Sequence, residues 1–151
     1  MADDLPITDL PATGKIMGLD LGTKTIGVAI SDAMRYSATP IETIRRTKFT
    51  QDAEQVVELA RKNQVVAIVL GLPLNMDGSE GPRVQSTRAF ARNLARILPL
   101  PLAFWDERLS TSAVTRMMIE ADLRRDRRAE VVDKLAASYI LQGALDRLRN
   151  D

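Results

Sequence analysis

KIMGLDLGTKTIGVAI, residues 15–30, is the stretch on which the fold turns. Residues 15–21 and 26–30 are apolar runs of strand length, and Gly22, Thr23, Lys24 and Thr25 between them have the composition of a tight hairpin turn. Alternation along the first run places Asp20 on the same face as Ile16 and Gly18. A carboxylate on such a face loses hydration. It must recover that cost from a cation or from hydrogen bonds, here either a bound metal or the N–H groups of the turn that follows.

Outward from this hairpin, residues 38–44 read as a third, shorter strand. Residues 50–63 read as a helix, with Asp52 and Glu54 early and Arg61 and Lys62 late, as the helix dipole prefers. VVAIVL, residues 65–70, is apolar throughout and predicts a central parallel strand; GLPLNMDG, residues 71–78, predicts a loop. A helix over 81–98 turns Val84, Thr87, Ala91, Leu94 and Leu98 inward, with Arg88, Arg92 and Arg96 in a stripe beside them. A short strand at 102–105 and helices at 110–121 and about 129–149 complete the chain, and Trp105 and Tyr139 fall on buried patterns. The order β-β-β-α-β-α-β-α-α implies an α/β protein with a mixed five-stranded sheet. β1, β2 and β3 are antiparallel, β4 and β5 parallel, and helices cover both faces, which is the order of the ribonuclease H-like fold.

The 151 residues are 45% hydrophobic and 27% charged, in the range of one globular domain, expected over 14–151 behind a mobile N-terminal tail at 1–13. That tail has neither the basic start nor the apolar run of a secretory signal, and no apolar stretch is long enough to span a membrane, so a cytoplasmic location is expected. There is no cysteine and no histidine, which excludes disulfides, thiolate or imidazole catalysis and His- or Cys-ligated zinc. Hydrolysis by this chain must use carboxylates, lysines, hydroxyls or a metal. The net charge of +1 does not describe a uniformly basic binder, but Arg83, Arg88, Arg92 and Arg96 lie in an acid-free stretch and Arg124, Arg125, Arg127 and Arg128 surround one Asp126. Such patches point to a directed surface for a polyanion, although solvated helix faces would carry the same residues.

Two further acids join Asp20. On a helical wheel Asp133 falls amid Ala136, Ala137, Ile140, Leu141 and Ala144, inside the small apolar face meant for the sheet rather than at a cap. Glu107 directly follows the fifth strand, where ligands of α/β sheets gather beyond the carboxyl ends of parallel strands; Asp106 or Glu107 could equally pair with Arg108. Oxygen ligands converging from two strands and a helix suit Mg²⁺ or Mn²⁺. Two such ions would activate water and stabilise the departing oxygen of a phosphodiester.

Four segments then carry a resemblance. They are GLDLGTK with IGVA at 18–29, GLPLNMDGS at 71–79, DERLST at 106–111 and VDKLAA at 132–137. In this order and spacing they resemble the YqgF family of ribonuclease H-like proteins, associated with Holliday-junction resolution and with pre-16S ribosomal RNA maturation. The resemblance runs from about Lys15 to the C-terminus. It implies a metal-dependent nuclease, most directly one processing the 5′ end of pre-16S rRNA, with RNA favoured over DNA. Asp20, Glu107 and Asp133 take its acidic catalytic positions, and the 71–79 loop, with Asn75, borders the groove. Thr25 departs from the Arg that many members carry there, which leaves the carboxylates intact and puts one phosphate contact in doubt. In this reading Arg83, the Arg88, Arg92 and Arg96 stripe and the cluster of Arg124, Arg125, Arg127 and Arg128 hold phosphates, while Lys24 and Arg108 either orient the scissile phosphate or simply pair with neighbouring acids. A four-way junction would favour a homodimer with paired sites, whereas RNA trimming can use a monomer.

Two rivals compete. Asp20-Leu21-Gly22-Thr23 also resembles the first phosphate loop of actin-like ATPases and sugar kinases, but those need a second lobe that this chain lacks. A module that binds nucleic acid or protein without cutting would use the same surface, yet acids without metal repel phosphates.

Overall fold

The computed structural model describes residues 4–109 and 125–149, with the side chains of the last helix described from residue 135 onward. β1 (Lys15–Leu21) and β2 (Thr25–Ser31) form the expected hairpin, closed by the Gly22 N–H donating to Thr25 O at 2.9 Å. β3 (Ala38–Arg45) pairs antiparallel with β2, and β4 (Val65–Leu72) and β5 (Leu102–Asp106) run parallel to β1. The five strands lie in the order β3-β2-β1-β4-β5. The central three are buried almost throughout, as their continuous apolar sequence requires, whereas β3 alternates as an edge strand does. Pro40 sits on that edge where the register shifts between Val28 and Ala29, so its missing N–H removes no interior ladder bond.

α1 (Phe49–Lys62) and α2 (Pro82–Ile97) cover one face. Val56, Ala60, Phe90 and Leu94 pack there against Met17, Leu19, Ile68 and Leu70. α3 (Arg125–Arg149) covers the other, its Ala137, Ile140, Leu141, Ala144 and Leu145 meeting Ile16, Ala29, Ala67, Val69, Ala103 and Trp105. Small residues on both sides let α3 come close. A Cβ built on Gly18 would stand 2.7 Å from Leu141 Cβ and 3.1 Å from the Ala137 carbonyl oxygen.

Several expectations need correction. Gly71 and Leu72 belong to β4 rather than to the loop, because the ladder continues as Gly71↔Trp105 and Leu72↔Asp106. The last helix begins by Arg125, earlier than apolar periodicity shows, since its first turns lack an apolar face. Tyr139 is 36% exposed, lying off the Ala136–Ile140–Leu141 stripe. Residues 4–13 do not form a free tail: Leu10 is buried, Leu5 and Ile7 pack with the α3-side cluster, and Asp4 pairs with Arg88 on α2. Three spaced apolar residues were enough to anchor the segment against β5 and α3. The helix predicted over 110–121 lies outside the described residues, as does Arg124. Among the described residues no helix is long and apolar enough to cross a membrane.

Candidate functional site

The parity of the strands puts the acids on one face. β1 presents Ile16, Gly18 and Asp20 to α3, β4 presents Ala67, Val69 and Gly71, and β5 presents Ala103 and Trp105. Leu19↔Leu70 and Gly71↔Trp105 are in register, so Asp20 stands at the level of Gly71 on the neighbouring strand. Asp20 is 2% exposed, the most buried acid among the described residues. Glu107 follows β5 in a short 3-10 turn (Glu107–Leu109) and returns over Gly71, where a Cβ would meet its Cγ at 3.2 Å and its Cδ at 3.3 Å. Gly71 therefore leaves open the space that Glu107 occupies. Sequence reasoning passed over this glycine, because its importance depends on which strands flank it.

α3 brings the third acid to the same end. Its C-terminal half lies over the amino end of β1, where Gln142 accepts from the Ala38 N–H (3.0 Å) and Arg149 donates to Tyr36 O (2.9 Å). Further back, Ile140 reaches Gly71 and Ala137 lies over Gly18. Asp133 is one helical turn before Ala137, so its backbone lies on the side of the carboxyl ends of β1 and β4. It is also eight residues inside a helix that starts by Arg125, which removes the capping reading. Among the described residues no three acids cluster, the Asp133 side chain not being one of them. A donor set of carboxylates alone, with one nearly buried beside a glycine cradle, fits a hard divalent cation and no softer metal.

The loop after β4 is firmly folded. Asn75 N–H donates to Ser79 O (3.0 Å), Asn75 Nδ2 donates to Ser79 Oγ (3.0 Å), and Gly78 turns at φ +88° with its N–H on Asn75 O. Asp77 accepts from the Ser79 hydroxyl and N–H, which together with the Arg108 charge hold its carboxyl below the ordinary value of 3.8. Arg108 joins this loop to the strand end, donating to both Asp106 oxygens and to Met76 O. Those bonds depress the Asp106 pKa. Arg108 thus pairs with Asp106, while the Glu107 side chain lies over Gly71.

The arginine stripe of α2 is not continuous. Arg88 is buried, bonded to Glu80 at 3.0 Å and to Asp4 at 2.9 Å, with its guanidinium 5.0 Å from the Phe104 ring centroid. Its pKa is raised although burial opposes the charge, because two carboxylates accept from it. Arg88 is thus a structural cation and leaves the list of phosphate contacts. The helical wheel could not show this, since both partners come from outside the helix. Arg83, Arg92, Arg96 and Lys24 are exposed, as is Asn75; the side chains of Arg125, Arg127 and Arg128 lie outside the described residues.

The sequence pattern of the RuvX family, described as Holliday junction resolvase, matches residues 14–147. A protein of Cereibacter sphaeroides named "Putative pre-16S rRNA nuclease" is 65% identical over 142 residues, covering 94% of this chain and 89% of its own. A relative of the same name from Paracoccus denitrificans is also 65% identical, over 93% and 89% of the two chains. Among solved structures, T. thermophilus RuvC in complex with a Holliday junction substrate superposes with a TM-score of 0.56 at 13% identity, covering 90% of this chain and 96% of that one. The yeast mitochondrial Holliday junction resolvase Ydc2 gives 0.53 at 12% identity, over 95% and 85%. These structures share the fold: a mixed five-stranded sheet flanked by helices, as in ribonuclease H-like proteins. By the match over 14–147 and the extent of identity to its relatives, the chain belongs to the RuvX family, Holliday junction resolvase by description.

Proposed function

We propose that this chain is a metal-dependent nuclease that hydrolyses phosphodiester bonds of structured nucleic acid, most directly in 5′-end processing of pre-16S rRNA in the cytoplasm. The observation that carries the reading is Asp20, an almost fully buried carboxylate beside the Gly71 cradle that seats Glu107. Asp20, Glu107 and Asp133 would hold Mg²⁺ or Mn²⁺, two ions in this reading. Such ions supply water activation and stabilisation of the departing oxygen. The rigid 73–79 loop, clamped by Arg108, would form one wall of the groove and present Asn75 to the strand. Lys24 on the hairpin turn and Arg83 and Arg92 on α2 are exposed cations able to contact phosphates without reading bases. Arg125, Arg127 and Arg128 on α3, with Arg124 before it, would extend that contact.

The substrate separates this reading from its alternative, a junction-resolving DNA endonuclease. Labelled RNA carrying the 5′ flank of 16S rRNA, duplex DNA and a four-way DNA junction are each incubated with Mg²⁺, Mn²⁺ or EDTA. Metal-dependent cutting of the RNA in preference to both DNAs is expected. Preferential cutting of the junction would transfer the reading to DNA resolution, and binding without cutting under every condition would overturn the enzyme reading.

A further inference from the structure

Arg46 follows β3 and Arg83 opens α2, yet both guanidiniums reach the turn that follows Asp20. Arg46 Nη1 donates to Gly22 O at 2.6 Å, and Arg83 Nη2 donates to Leu21 O at 3.4 Å. The Arg46 N–H also donates to Lys24 O at 2.8 Å, fixing the end of β3 to the hairpin. Together with Gly22, Thr23, Ser86 and Thr87 the two arginines line a small open cavity of about 50 Å³.

What marks this pair is that two charges held by carbonyls meet at one cavity, whereas Arg35, held likewise by Gly14 O, is not part of that lining. Arg88 is matched by Asp4 and Glu80, Arg108 by Asp106, and Arg149 by Asp146. Arg46 and Arg83 bond to backbone carbonyls and, among the described residues, to no carboxylate. A carbonyl orients a guanidinium without neutralising it, so two positive charges meet at one cavity with N–H donors to spare. Ser86 is exposed at the same rim and adds a hydroxyl. Two guanidiniums with a hydroxyl match the several acceptor oxygens of a phosphodiester better than a single carboxylate. The cavity begins at Leu21, one residue beyond Asp20, but on the α2 side of the sheet.

We infer that Arg46, Arg83 and Ser86 form a phosphate subsite that takes a backbone phosphate of the nucleic acid whose cut bond lies at Asp20. The inference rests on the nuclease reading and adds Arg46 and Ser86 as positioning residues. A strand bound at both places is held across the β1–β2 turn, which fixes its register without selecting a base.

Binding is measured by fluorescence anisotropy in EDTA over a salt series, with labelled single-stranded RNA in one arm and a labelled four-way DNA junction in the other. Arg46→Gln and Arg83→Gln should each weaken binding and lower the slope of log affinity against log salt by about one. Arg46→Lys keeps the charge and should keep the slope. Ser86→Asp, an exposed change that leaves the turn's hydrogen bonds intact, should weaken binding even if Arg46→Gln disturbs the hairpin. Arg61→Gln on the remote face of α1 serves as control. Losses confined to one arm identify the RNA or the DNA backbone as the occupant. Unchanged slopes for Arg83→Gln, with Ser86→Asp binding as wild type does, would overturn the subsite while wild-type cleavage left the nuclease reading standing. A wild type that neither binds nor cuts either probe would overturn both.

Discussion

Asp20 and Gly71 show how one residue's chemistry depends on its neighbour's absence. Gly71→Ala adds a Cβ that would stand 2.5 Å from Ile140 Cδ1 and 3.2 Å from Glu107 Cγ. Overpacking of this kind costs about 1–3 kcal/mol, read as a lowered denaturant midpoint. Because Glu107 is one of the atoms that must move, cleavage should fall further than stability alone accounts for. Arg88 gives the opposite case. Arg88→Met removes the cation shared by Asp4 and Glu80, part-buried acids at 26% and 25% side-chain exposure, and should destabilise the protein by about 1–3 kcal/mol. Its affinity for nucleic acid should match wild type in anisotropy titrations, and a clear loss would restore Arg88 to the binding surface. Asp20 was legible as a candidate because an acid breaks an apolar strand, and the structure gives its burial. Arg88 was misread because burial by partners distant in sequence leaves no local trace.

At the scale of elements, α3 is placed by contacts that admit little adjustment. Gly18→Ala presses against Leu141 Cβ and the Ala137 backbone carbonyl, and backbone cannot yield as a side-chain tip can. A loss of at least about 1–3 kcal/mol is expected. Thermal melts with and without Mg²⁺ should show the stabilisation by metal reduced as well, since α3 carries Asp133. The β5 end responds to pH instead. Asp106 has a folded pKa depressed below 3.8 by Arg108. A depressed acid contributes stability that is present above the unfolded pKa and lost as pH falls through the folded one. Wild type should therefore lose more stability than Asp106→Asn as pH drops below about 3.8, measured by urea melts; parallel curves would remove the clamp. Strands were the most legible elements, since continuous or alternating apolar runs persist from sequence to sheet. The Gly71-Leu72 extension and the start of α3 were not legible, because pairing and polar helix turns leave no hydrophobic period.

Across the whole molecule, the sheet order β3-β2-β1-β4-β5 brings Asp20 and Glu107 to one face although 87 positions separate them in the chain. The order of elements made this sheet inferable, and with it the face shared by Ile16, Gly18 and Asp20. It could not reveal the anchoring of residues 4–10 along β5 and α3, since that depends on surface created only by folding. Nor could it show Arg46 and Arg83 meeting at one turn. The central claim, that three carboxylates form one metal-dependent hydrolytic site, is tested most directly by cleavage of RNA carrying the 16S 5′ flank. Wild type, Asp20→Asn, Glu107→Gln and Asp133→Asn are compared in Mg²⁺, with folding checked by thermal melts in EDTA. The account predicts folded variants whose rates fall by at least about 10²-fold, the scale on which removing one preorganised electrostatic group acts. Folded variants that cut at the wild-type rate, or wild-type cutting undiminished in EDTA, would contradict it.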